Sequence, residues 1–169
     1  MKKRNASVKI RQIFSWIFIG LSVLFLVLLF ALKNTLTEYT SDLKKANTDP
    51  EIITSESHRI DSAYNYLNNH LPYELTFLEF GSKGCSSCKQ MEGVMEEIKK
   101  LYPNKVNVQF KNVRLKENQS IMEYYGIVMI PTQVLLDKKG KEFFRHTGVL
   151  SVDDMIKVFN VQWQKDDKM

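Results

Sequence analysis

LTFLEFGSKGCSSCKQM, residues 75–91, holds the only two cysteines of the 169-residue chain, Cys85 and Cys88. LTFLEF is a run of strand formers, and Gly81 and Gly84 mark a turn behind it. From Ser86 onward Met91, Met95, Ile98 and Tyr102 recur at helical spacing, with Glu92, Glu96, Lys99 and Lys100 supplying the solvent side. The cysteines therefore stand where a strand ends and a helix begins. A helix N-terminus offers unpaired N–H groups and a partial positive charge, and both stabilise a thiolate. The thiolate is the nucleophilic form, and C-x-x-C pairs so placed have depressed pKa values. On this reading Cys85 is the exposed attacker, and Cys88, one turn further in, resolves the mixed disulfide.

Two other readings of the pair are weaker. As a structural staple it would close too small a loop to matter, worth roughly 2 kcal/mol in the chain-entropy picture. A structural zinc site wants four ligands, and the remaining soft candidates, His58, His70 and His146, are not spaced like a finger. No metal is expected.

Outward from the pair, the pattern predicts a short strand at 51–54, an amphipathic helix at 55–69, a strand at 106–110 and a short helix at 118–125. TQVLLD (132–137) and EFFRHT (142–147) flank Lys138-Lys139-Gly140 as a hairpin, and 152–163 closes the chain as a helix. The order βαβαβαββα implies an α/β fold, a mixed central sheet with helices on both faces, over residues 51–169. Glu79 is the single charge in LTFLEF and shares a strand face with Phe77, so burial and a raised pKa are expected for it.

Ahead of that domain, residues 1–12 carry five basic side chains and no acid, which equals the net charge of the whole chain, +5. The remaining residues are balanced, so a nucleic-acid-binding face has no net-charge support. Residues 13–32, IFSWIFIGLSVLFLVLLFAL, contain no charge and match the roughly 20 residues a helix needs to cross a bilayer. Ala31-Leu32-Lys33 makes no convincing signal-peptide cleavage site, and no cysteine follows the run as a lipoprotein would need. An uncleaved transmembrane anchor is expected, its basic tail in the cytoplasm and everything from Lys33 outside. Residues 33–50 read as a polar tether with an r.m.s. span of roughly 25 Å, or as a short juxtamembrane helix on the weak stripe Leu36, Tyr39 and Leu43.

TFLEFGSKGCSSCKQM, the later YGIVMIPTQVLLDKKGKEFFRHTG (125–148) and the strand–helix order between them resemble a thioredoxin-fold protein of the membrane-anchored bacterial type. The resemblance implies that Pro131 is a cis-proline facing the cysteines and that the backbone of Ile130 pairs with a bound substrate strand. It implies that Gly84 and Gly148 border the same groove, and that Glu79 is a buried acid behind Cys88 that exchanges its proton. No cofactor is implied beyond the Cys85–Cys88 disulfide itself.

The pattern also departs from the family. Gly84 stands where thioredoxins carry tryptophan, Ser86-Ser87 replaces Gly-Pro, and Gly93 stands in place of a kinking proline. The missing tryptophan is expected to leave the groove flatter and more open, and the substrate range different from that of standard thioredoxins. The expected activity is a thiol-disulfide oxidoreductase at the cell membrane, working in the reducing direction on disulfide-containing extracytoplasmic proteins. Its expected electron donor is a membrane thiol carrier of the CcdA/DsbD kind. The alternatives are a disulfide-forming oxidase and a non-catalytic peptide-binding or assembly factor.

Overall fold

The computed structural model describes residues 3–166 and 168, excepting the side chains of 3–14, 30, 33, 34 and 38. The chain divides into two units, 1–38 and Tyr39–Met169. In the first, helix α1 (Lys3–Ala46) begins, and it continues into the second. The described side chains of the apolar run are exposed, Trp16 and Phe18 each at 74%. The side chains of Ile13, Phe14 and Phe30 of the expected membrane span, and those of the basic tail, lie outside what is described. Among the described residues no helix is long and apolar enough to cross a membrane.

Residues 33–46 are helical, the second of the two readings of that segment, and the second unit runs from Tyr39 to Met169. One expectation is corrected here. The predicted strand at 51–54 is instead the opening of helix α2 (Pro50–Tyr64). Asp49 caps that helix by accepting the Glu51 N–H at 2.8 Å, Pro50 fits the first helical position, and Glu51 favours the positive end of the helix. These start signals outweigh the strand propensity of Ile52 and Ile53.

The remaining elements are α3 (Tyr66–Asn69), β1 (Leu75–Gly81), α4 (Ser86–Leu101), β2 (Val106–Asn112), a 3₁₀ turn (Lys116–Asn118), α5 (Gln119–Tyr124), β3 (Thr132–Leu136), β4 (Glu142–Thr147) and α6 (Val152–Asp166). The sheet has four strands in the order β2-β1-β3-β4. β1 runs parallel to β2 and antiparallel to β3, and β4 is antiparallel to β3. β1 is central and covered on both faces, so all seven of its residues are buried and its sequence carries little alternation.

The faces nevertheless separate by parity. Leu78, Phe80 and Val134 join Ile60 of α2 and Ile121 of α5 in one core. Phe77 and Leu135 join Met91 and Ile98 of α4 with Met155 and Phe159 of α6 in the other. Odd-numbered β1 positions, Glu79 and Gly81 included, thus face α4.

The last turns of α1 hold the segment that leads to Pro131. Ser41 Oγ donates to Gly126 O at 2.7 Å, and Lys44 Nζ donates to Ile127 O at 2.8 Å. Arg145 reaches in from β4, donating to Ser41 Oγ at 2.8 Å and to Tyr125 O. Gly126 has φ +60°, and a Cβ there would run into the Ser41 carbonyl oxygen. Glycine is thus required for both conformation and space.

Candidate active site

Cys85 is the N-cap of α4, and its Sγ accepts the Cys88 N–H at 3.2 Å. Ser87 Oγ lies 3.3 Å from the same sulfur. The two cysteines form a disulfide with Cα atoms 5.2 Å apart. Cys85 is half-buried, whereas Cys88 is 1% exposed. An incoming thiol or disulfide therefore meets Cys85 first, and the cap N–H and Ser87 hydroxyl are placed to stabilise negative charge on its sulfur. Lys83 and Lys89 are exposed on either side.

Gly84 has φ +91° with open space around it. A larger residue there would be strained by the backbone and not by neighbours. That conformation goes with the absence of tryptophan before Cys85. α4 runs without interruption through Gly93.

Gly81 was marked in the sequence only as a turn residue, yet it sets the depth of Cys88. A Cβ on Gly81 would lie 3.4 Å from Cys88 Sγ and 3.0 Å from the Phe110 ring. Without a side chain, the end of β1 lets the second cysteine settle onto the sheet.

Glu79 leaves β1 on that same face, two residues back, about 7 Å along the strand. It is fully buried. On the β2 side it stands opposite Phe110, and on the β3 side opposite Gln133. Among the described residues no cation neutralises it. Its hydrogen-bond partner among them is Gln133, whose Nε2 donates to Glu79 Oε2 at 3.0 Å, and Oε1 is buried with none. Burial pushes the carboxyl from its ordinary 4.5 up to about 8, the Gln133 amide pulling partly the other way.

The Ile130–Pro131 peptide bond is cis. Register carries β3 back from Thr132, opposite Phe80, to Pro131 beside the Gly81 end of β1, where the cysteine loop leaves the sheet. Gly148, with φ +114°, donates its N–H to Pro131 O at 2.8 Å. Among the described residues no backbone hydrogen bond uses the N–H or C=O of Ile130. Val128, Met129 and Val149 are exposed apolar side chains beside this turn. The structure thus gathers Cys85, Cys88 and Glu79 at one end of β1 and α4, and Ile130, Pro131 and Gly148 at the adjoining end of β3. Gln133, which the sequence reading passed over, links the two groups. Its signal was present: it is the one amide in the otherwise apolar strand segment QVLL, as Glu79 is the one charge in LTFLEF.

The protein-family model described as Thioredoxin matches residues 59–160. A thioredoxin of Rickettsia bellii (strain RML369-C) is 33% identical over 94 residues, covering 56% of this chain and 84% of that protein. The SPbeta prophage-derived thioredoxin-like protein YosR of Bacillus subtilis (strain 168) is 22% identical over 85 residues, covering 49% of this chain and 96% of its own length. Among solved structures, thioredoxin-2 of the malaria parasite superposes with a TM-score of 0.48 at 22% identity, covering 52% of this chain and 82% of that one. The exposed lipoprotein thioredoxin Etrx1 of Streptococcus pneumoniae strain TIGR4 gives 0.46 at 19% identity, over 54% and 87% of the two chains. With its family match spanning α2 to α6 and the cysteine pair at the head of α4, this chain belongs to the thioredoxin family.

Proposed function

We propose that the protein is a thiol-disulfide oxidoreductase, tethered to a membrane outside the cytoplasm and working as a reductase. The observation that carries the reading is the asymmetry of the pair: a half-buried Cys85 at a helix N-terminus, backed by a buried Cys88 on the sheet face that holds Glu79.

In the substrate half-reaction the Cys85 thiolate attacks a substrate disulfide, forming a mixed disulfide and expelling one substrate sulfur. Glu79 takes the Cys88 proton, and the Cys88 thiolate attacks Cys85 Sγ. The second substrate sulfur leaves, and both released substrate thiolates take their protons from water. Two electrons pass to the substrate, the Cys88 proton stays on Glu79, and the enzyme is left as the Cys85–Cys88 disulfide. A donor dithiol reverses these steps, with protonated Glu79 returning its proton to the departing Cys88 sulfur. A carboxyl titrating near 8 suits both directions at neutral pH.

The anchor rests on the uncharged run 13–32, its exposed apolar surface in α1 and the five cations before it. By analogy with membrane-tethered members of the family, the donor is a CcdA/DsbD-like thiol carrier, and the clients are extracytoplasmic proteins with disulfides. The apolar rim of Val128, Met129 and Val149 beside Ile130 and Pro131 fits an extended client segment pairing with the Ile130 backbone.

The full chain, supplied with dithiothreitol, is expected to reduce insulin disulfides well above the rate of dithiothreitol alone. A peptide-binding scaffold with a vestigial pair would add nothing to that rate.

A further inference from the structure

Glu79 and the peptide groove lie on different strands, yet one side chain touches both. Gln133 Nε2 donates to Glu79 Oε2 at 3.0 Å and to Gly148 O at 3.1 Å. Gly148 N in turn donates to Pro131 O at 2.8 Å. Three hydrogen bonds therefore run from the buried carboxyl to the cis-proline. We propose that Gln133 is a positioning residue that fixes the Glu79 carboxyl beneath Cys88 and couples its protonation to the Gly148–Pro131 turn where substrate binds.

The chemistry of the pair supports this. A primary amide and a carboxylic acid can pair reciprocally, N–H to one carboxyl oxygen and O–H back to the amide oxygen. In the ionised form the second half of that pairing has no proton. Among the described residues Glu79 Oε1 and Gln133 Oε1 are both buried acceptors without a partner, and a proton on Glu79 Oε1 is the donor this pair of oxygens lacks. Gln133 thus supports both states of the carboxyl. Its N–H stabilises the carboxylate, and its C=O is the available acceptor for the acid.

The surroundings leave Gln133 as the adjustable partner. β2 presents Phe110, α4 presents Cys88, and α6 packs Met155 and Phe159 on this face. His146 stands one strand further out, opposite Gln133 on β4. Removing the amide donor with Gln133→Leu leaves the carboxylate buried with no donor, so Glu79 should hold its proton to higher pH. The carboxylate fraction at pH 7 should fall about tenfold or more, the usual worth of a hydrogen bond to a charged group.

This inference rests on the proton-transfer role given to Glu79 above, so the test reads the carboxyl without turnover. The infrared C=O band of protonated Glu79 is identified in the full-length disulfide form by its loss in Glu79→Gln, then followed against pH. A midpoint displaced upward in Gln133→Leu, and retained in His146→Gln, is the expected result. An unmoved midpoint in folded Gln133→Leu overturns the inference. Should that variant not fold, Gln133→Met is read in the same way. Insulin turnover measured alongside separates the two ideas: a displaced midpoint with rates indifferent to Glu79→Gln would overturn proton transfer by Glu79 while leaving Gln133 as its positioning partner.

Discussion

Cys88→Ser is expected to accumulate covalent complexes with substrate through Cys85, whereas Cys85→Ser accumulates few or none. Both variants should lose insulin turnover to the level of the free reductant. The difference follows from burial, since Cys85 is open to an incoming disulfide and Cys88 is 1% exposed on the floor of the site. With Cys88 gone, the mixed disulfide on Cys85 has no internal thiolate to release it. Non-reducing gels of the full-length variants, exposed to a disulfide-bonded protein, read the outcome directly. Equal trapping by both variants would contradict the assigned roles.

The second large effect concerns stability. Glu79 titrates near 8 in the folded chain against 4.5 for a free glutamate. Between those values the unfolded chain has released a proton that the folded chain still holds. Folding is therefore progressively penalised as pH rises from about 4.5 to about 8, and the penalty is constant above that. Its full size is on the order of 5 kcal/mol, from 1.36 kcal/mol per pKa unit. Glu79→Gln, nearly the same shape and unable to ionise, should remove this pH dependence. At pH 9 the variant should be several kcal/mol more stable than the parent, and near pH 4.5 the two should converge. Urea unfolding of both full-length proteins across that range checks it, and parallel curves would mean that the carboxyl is not held neutral by the fold. A residue that destabilises the protein over the neutral range, and to which the proposed function gives proton transfer, is an expected trade at a functional site.

Much of this was legible in the sequence because the local signals agreed. LTFLEF, the two glycines and the helical stripe behind Cys88 all point to a strand, a turn and a helix, and the structure has β1, the cysteine loop and α4 there. The burial of Glu79 followed from parity with Phe77. The hairpin around Gly140 and the final helix were equally plain.

What stayed hidden depended on long-range contact or on competition between signals. Ile52 and Ile53 suggested a strand, but Asp49-Pro50-Glu51 starts a helix, and capping decided the outcome. The docking of Ser41 and Lys44 onto residues 126 and 127 joins positions more than 80 apart in the chain, and no local pattern announces it. Gly81 looked like a turn glycine, and only the packed structure shows Cys88 resting on it. Gln133 needed the β1–β3 register, which sets it opposite Glu79, before its lone polarity in QVLL acquired a meaning.

The central claim is that Cys85 and Cys88 form a reducing couple. The measurement that tests it most directly is the reduction potential of the pair in the full-length protein, by equilibration against glutathione or dithiothreitol. The account predicts a value near the thioredoxin level of about −270 mV, or lower. A value near the DsbA level of about −120 mV would contradict it and make the protein a disulfide-forming oxidase.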